Sequence, residues 1–304
     1  MSRFLCRQLS VVGLVLSLCG LPIQANEIIS EYDTHSQPRR VVSTDGSLTE
    51  IVYALGLGAY LVGVDTTSTY PKAVTELPQV GYKRALSVEG VMSLMPDVVL
   101  TTDDSGPPIV IEKLQQVGIT IQNYSASPDL SVIKDKIIGV ANELGVPKKG
   151  ETLWAKVSSQ IESAISRPLP DKPVKVLFVL SFSDRSPMVA GSDTSANMMI
   201  NLAGGVNAAS TLMGYKPIST EALIGLEPDV ILMMDGRNPT VSAGMLFSSP
   251  GFDQIPASVE KRLITMDGMM LLGLGPRTGL AISQLNQALY PSQSLASVKS
   301  ERLQ

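Results

Sequence analysis

One stretch of this chain occurs twice. Leu86-Ser-Val-Glu-Gly-Val-Met-Ser-Leu-Met-Pro-Asp-Val-Val-Leu-Thr-Thr-Asp103 aligns without gaps on Ile218-Ser-Thr-Glu-Ala-Leu-Ile-Gly-Leu-Glu-Pro-Asp-Val-Ile-Leu-Met-Met-Asp235, with 8 identities in 18 positions. Composition alone gives about one or two. Just upstream, Gly81-Tyr82-Lys83 matches Gly214-Tyr215-Lys216, with one residue fewer before the serine of the second copy. Two copies separated by more than a hundred residues imply two similar lobes; a solenoid needs more copies at a shorter period.

Each copy reads as α/β. Glu89 to Met95 has helical amphipathicity, Pro96-Asp97 breaks it, and Val98-Val99-Leu100 is a buried strand. Upstream, the residues from Arg40 to Ser43 form a strand, Leu48 to Leu55 a helix ended by Gly56, and Val62 to Val64 a strand. Pro107 to Gln116 is a helix closed by Gly118, and Ile119 to Gln122 a strand. In the second half, Val174 to Leu180 is a continuous β-rich run and Ala196 to Leu202 a helix ended by Gly204-Gly205. Strands alternating with helices predict an α/β fold with a mainly parallel sheet in each lobe. Between the lobes, Leu153, Val157, Ile161 and Ile165 recur at four-residue spacing and predict one long helix, stopped by the prolines after Arg167. Such a helix is a semi-rigid joint.

The termini and charge bound the class. Arg3 and Arg7, the apolar run Val11 to Leu18 and Ile23-Gln24-Ala25 predict a cleavable signal peptide. Cys19 raises lipidation as an alternative, against which stands the bulky Leu18 before it. The apolar run is too short to span a bilayer stably. Expected boundaries are a signal peptide at 1–25, a tail at 26–37, one lobe at 38–146, the bridging helix at 147–170 and the second lobe at 171–304. Both cysteines, Cys6 and Cys19, fall in the removed segment, so disulfides, a thiol nucleophile and thiolate metal sites are excluded from the mature chain. After cleavage 22 basic residues face 28 acidic ones, without Lys/Arg runs, which argues against nucleic acid. The only histidine, His35, lies in a polar stretch without companion ligands. Gly-x-Ser-x-Gly, Walker and dinucleotide-binding signatures are absent, so an enzyme is not expected.

The two α/β lobes, bridging helix and export signal resemble the helix-backbone class of substrate-binding proteins of ABC importers, over roughly residues 38 to 290. The segments Val80 to Gly90, Val176 to Ser181, Pro187 to Gly191 and Leu272 to Arg277 are similar, more specifically, to periplasmic haemin-binding proteins of bacterial haem uptake. The resemblance implies ferric haem b as the transported ligand, an ABC permease dimer as partner, haem hand-over from an outer-membrane receptor, a monomeric state and a periplasmic location. Siderophore or corrinoid binding within the same fold class is the alternative, and a Tyr-ligated haem enzyme a more distant one.

Tyr82 matches the family's iron-ligating tyrosine. The chemistry is apt, because Fe(III) favours an anionic oxygen donor and a phenolate supplies one. A free phenol titrates near pH 10, so iron and a nearby cation must favour its ionised form. Arg84 is that cation by resemblance, and points to the side of Tyr82 if the stretch is extended; Lys83 would then face away into solvent. Tyr215, the repeat partner, either stacks on the porphyrin, hydrogen-bonds a propionate or is a structural residue left from duplication. Arg277, after a Gly-rich turn, is either a propionate contact or a surface arginine. Phe182 stands where some family members carry a histidine, which argues against imidazole ligation of a second haem. Met188, Met269 and Met270 can approach the cleft, with no ligand role assigned. Asp103-Asp104 begin a turn. Glu89 and Glu221 match the acids that dock on permease arginines in the family, and each also suits a helix start.

Overall fold

The computed structural model describes residues 39–168, 171–182, 186–235 and 242–291. The expected signal peptide, His35 and both cysteines lie outside these residues. The chain is a two-lobed α/β fold.

The first lobe runs β1 (Val41–Ser43), α1 (Gly46–Ala54), β2 (Leu61–Val64), α2 (Val88–Met92), β3 (Val98–Thr102), α3 (Pro108–Gln116), β4 (Thr120–Tyr124) and α4 (Ser131–Glu143). Its four strands are all parallel, in the order β2-β1-β3-β4. Helix α5 (Pro147–Ile165) follows. The second lobe comprises β5 (Lys175–Ser181), β6 (Met188–Ala190), α6 (Ser195–Leu202), β7 (Val206–Asn207), β8 (Tyr215–Pro217), α7 (Thr220–Leu226), β9 (Val230–Asp235), α8 (Ala243–Leu246), α9 (Pro256–Val259), β10 (Leu263–Asp267), α10 (Gly268–Leu272) and α11 (Thr278–Leu289). Its sheet is ordered β10-β9-β5-β6-β8, with β7 also paired to β5. The β10–β9, β9–β5 and β5–β7 pairs are parallel; β6 and β8 add an antiparallel ribbon that the first lobe lacks.

The repeat is structural down to its hydrogen bonds. Ser87 caps α2 by accepting from Gly90 N at 2.9 Å, and Ser219 caps α7 by accepting from Ala222 N at 3.2 Å. A left-handed residue follows each helix, Glu227 (φ 46°) directly as the cap of α7 and Met95 (φ 45°) shortly after the Ser93 cap of α2, and proline comes next. The aspartate after each proline then clips the first strand of its lobe. Asp97 Oδ2 accepts from Arg40 N at 2.7 Å, and Asp229 Oδ2 from Lys175 N at 2.8 Å. This explains why Pro-Asp survives in both copies: it stops the helix and sets where the buried β3 and β9 enter their sheets.

Helix α5 packs between α4 and α11 and so joins the lobes. Glycines allow the close approach. Gly150 backs onto Ala141 of α4, and a Cβ at Gly279 of α11 would sit 2.8 Å from the Gln160 carbonyl carbon. Val157, Ile161 and Ala164 form the buried stripe, whereas Ile165 is 42% exposed. The expected four-residue spacing fails there because each step of four advances about 400°, some 40° past a full turn. Over three steps Ile165 rotates off the face and Ala164 takes its place.

Candidate functional site

A cleft of about 910 Å³ opens between the lobes. Its walls are unlike. Tyr82, Lys83, Arg84, Asp104, Asp45 and Lys136 line the side of the first lobe. The second lobe presents mainly Leu180, Met188, Met234, Met269 and Leu272, together with Tyr215 and the carboxylates of Asp193, Asp235 and Asp267.

Tyr82 opens a turn closed by Ala85 N donating to Tyr82 O at 2.7 Å. Gly81, at φ 100°, makes the sharp entry that a side-chain-bearing residue resists. The phenol is 40% exposed, so its ring faces the cleft and not the core of its own lobe. Arg84 Nη2 pairs with Asp104 Oδ2 at 2.7 Å, and its guanidinium lies within electrostatic reach of both Tyr82 and Tyr215. Tyr215 projects from β8, its ring edge-on to buried Phe178 at 6.5 Å between centroids. Three of the four expected ligand contacts, Tyr82, Arg84 and Tyr215, therefore converge on one space from two lobes.

Lys83 is not solvated. Its Nζ pairs with Asp45 Oδ2 and Asp104 Oδ1, each at 2.8 Å. The expectation failed because Tyr82 to Ala85 is a turn, not a strand, and alternation of side chains does not apply. Burial opposes the charge on Lys83, yet the two carboxylates outweigh it and its pKa is raised. Asp45 is 5% exposed and also caps α1, accepting from Ser47 N at 2.9 Å. Burial works against its ionisation too; Lys83 and Lys136 more than offset this and hold the carboxyl at about 2. Lys136, on α4, donates to Ser47 Oγ at 3.1 Å and across the lobe boundary to Gly273 O at 3.3 Å.

Arg277 lies elsewhere. It lines a separate hollow of about 410 Å³ with Glu50, Tyr53 and Tyr70. Its guanidinium is forked onto Glu50, with Nε at 2.9 Å and Nη2 at 2.5 Å, touches Asp267 at 3.2 Å and stacks 4.1 Å over the Tyr70 ring. Burial pushes Glu50 up, with Arg277 pulling the other way. Arg277 thus ties the lobes together behind the cleft and is already engaged, and Tyr70 belongs with it. Phe182 packs edge-on against Phe252 at 5.4 Å, inside a hydrophobic cluster of the second lobe. Met188 and Met269 reach the cleft, as does Met234, while Met270 is buried in the core. Asp103 accepts from Ala126 N at 2.9 Å within the expected turn, and Asp104 turns back to the cations. Glu89 and Glu221 are exposed in the first turns of α2 and α7.

Sequence reasoning missed Asp45 and Lys136. The first was legible as Asp45-Gly46-Ser47 before an apolar helix, an N-cap pattern. The second stands on the apolar face of α4, at helical spacing from Val132, Ile133 and Val140. Among the described residues, no cluster of three His, Cys, Asp or Glu could hold a metal ion, and no helix is long and apolar enough to cross a membrane.

The periplasmic binding protein family model matches residues 41–269. An uncharacterized ABC transporter substrate-binding lipoprotein, YvrC of Bacillus subtilis, is 31% identical over 84% of this chain and 81% of its own. A vitamin B12-binding protein of Vibrio parahaemolyticus is 27% identical over 86% of this chain and 91% of its own. Among solved structures, the periplasmic heme-binding protein RhuT from Roseiflexus sp. RS-1, in apo form, superposes with a TM-score of 0.80. It is 38% identical, over 84% of this chain and 99% of that one.

Proposed function

Since this chain belongs to the periplasmic binding protein family, a family of transport proteins and not of enzymes, we propose that it captures ferric haem between its lobes. The observation that carries this reading is the half-exposed Tyr82 phenol facing the inter-lobe cleft beside Arg84. A phenolate there binds Fe(III) as a hard anionic axial ligand, with the Arg84 guanidinium lining the same space. The methionine and leucine wall opposite suits a flat apolar macrocycle, since thioethers pack well against aromatic faces. Tyr215 meets the porphyrin from that wall.

The cargo then passes to an ABC permease dimer. Glu89 and Glu221 hold equivalent places on the two lobes, and their exposed carboxylates fit a pair of arginine-bearing permease subunits. Export by a cleavable signal peptide, a periplasmic location, a monomeric state and haem supply from an outer-membrane receptor complete the proposal.

Corrinoid binding is the second reading, favoured by the vitamin B12-binding relative. Competitive titration separates the two. The haem reading predicts tight haemin binding with an iron–phenolate absorbance band and weak binding of vitamin B12. Tighter binding of vitamin B12 than of haemin overturns it.

A further inference from the structure

Lys136 has no part in the reading above. Its side chain belongs to a residue only 3% exposed, yet it lines the floor of the cleft. Burying an ammonium is costly unless it is paired. Here its two hydrogen-bond partners, Ser47 Oγ and Gly273 O, are both neutral, and among the described residues no carboxylate lies within ion-pair range, 4.0 Å. Its third donor remains. Asp45 reaches it only through the Ser47 hydroxyl, which donates to Asp45 Oδ1 at 2.5 Å, while the other Asp45 oxygen holds Lys83. Asp104 is committed to Lys83 and Arg84. The first-lobe wall therefore carries Lys83, Arg84 and Lys136 against Asp45 and Asp104, one cation in excess, and the excess falls on Lys136; Asp193, Asp235 and Asp267 line the second-lobe side, and none of them is paired with it.

We propose that Lys136 is a carboxylate-reading residue: it takes an acidic substituent of the tetrapyrrole that enters the cleft. The inference rests on the haem reading and deepens it. A haem rim bears two propionates, whereas the corrin rim of vitamin B12 bears neutral amides. Lys136 thereby selects an acid-edged macrocycle, a task separate from iron ligation by Tyr82. Burial lowers the Lys136 pKa, and an incoming carboxylate reverses that pressure. Lys83 and Arg84, already matched, position the turn.

The test compares haemin with haemin dimethyl ester, in which both carboxylates are masked and the iron is unchanged. Full-length mature wild type binds the free acid on the order of tenfold more tightly than the diester, the size of a charge-assisted hydrogen bond. In Lys136→Met that ratio collapses toward one, while the iron–phenolate absorbance persists with both ligands. An unchanged ratio in Lys136→Met overturns the proposal, as does equal binding of acid and diester by wild type, which needs no variant to fold. If Lys136 only bolts the lobes through Gly273, thermal stability falls and the ratio stays; that outcome also refutes ligand reading. Absence of any haemin binding by wild type instead sinks the haem reading.

Discussion

The two walls of the cleft come from one duplicated unit and have diverged in opposite chemical directions. Their scaffolding is the same: a serine cap, a short helix, a left-handed stop, proline, and an aspartate clipping the first strand. Their faces differ. In the first lobe the extra residue before the serine makes a turn that presents Tyr82, Lys83 and Arg84 together. In the second the shorter connection becomes strand β8, pairs antiparallel with β6, and presents Tyr215 above apolar side chains. Hydrogen-bonded framework positions tolerate little change because each satisfies a backbone group. Side chains facing an open cleft carry no such constraint, so one copy gathered cations at the cleft and the other a methionine and leucine surface edged by Asp193, Asp235 and Asp267.

The largest effect expected concerns what the copies still share. Glu89→Lys combined with Glu221→Lys should abolish haem uptake in cells while leaving haemin affinity of the purified protein unchanged. Each single reversal should impair uptake; loss from one side alone breaks the equivalence of the lobes at the permease.

The next prediction concerns the walls. Asp45→Asn should cost about 3 kcal/mol in chemical denaturation, because it takes from Lys83 its buried carboxylate partner. The C-lobe change Asp235→Asn, at an exposed carboxylate, should cost less than about 0.5 kcal/mol. Equal losses contradict the asymmetry. Asp45 also sets an acid limit. Its folded pKa of about 2 lies below the ordinary 3.8, so its contribution, roughly 2 kcal/mol, is complete above pH 4. It is lost as pH falls through 2. Unfolding free energy measured from pH 6 to 2 should drop over that window in wild type and less in Asp45→Asn.

Smallest is Tyr215→Phe, which should weaken haemin binding by no more than about threefold, as loss of one neutral, partly exposed hydrogen-bonding group does. A larger loss would make the second lobe an equal partner in iron recognition.

Much of this was legible in the chain. The repeat announced two lobes, Pro-Asp and glycines marked where helices stop, and the convergence of Tyr82, Arg84 and Tyr215 followed from family resemblance. What was not legible turned on conformation or on distance. The side of Lys83 depended on whether three residues form a strand or a turn, which residue periodicity cannot decide over so short a span. Arg277 pairs with Glu50 across 227 positions, and nothing local to either residue announces that contact. Lys136 was readable as a charge misplaced on an apolar helical face, a pattern that points to function when the charge stays unpaired.

The central claim is that the Tyr82 oxygen grips the iron, and absorbance-monitored haemin titration of wild type and Tyr82→Ala tests it most directly. Wild type should develop the ferric phenolate band with saturation, and Tyr82→Ala should lack the band and bind on the order of a hundredfold more weakly, about 3 kcal/mol. A variant that retains both the band and the affinity contradicts the account.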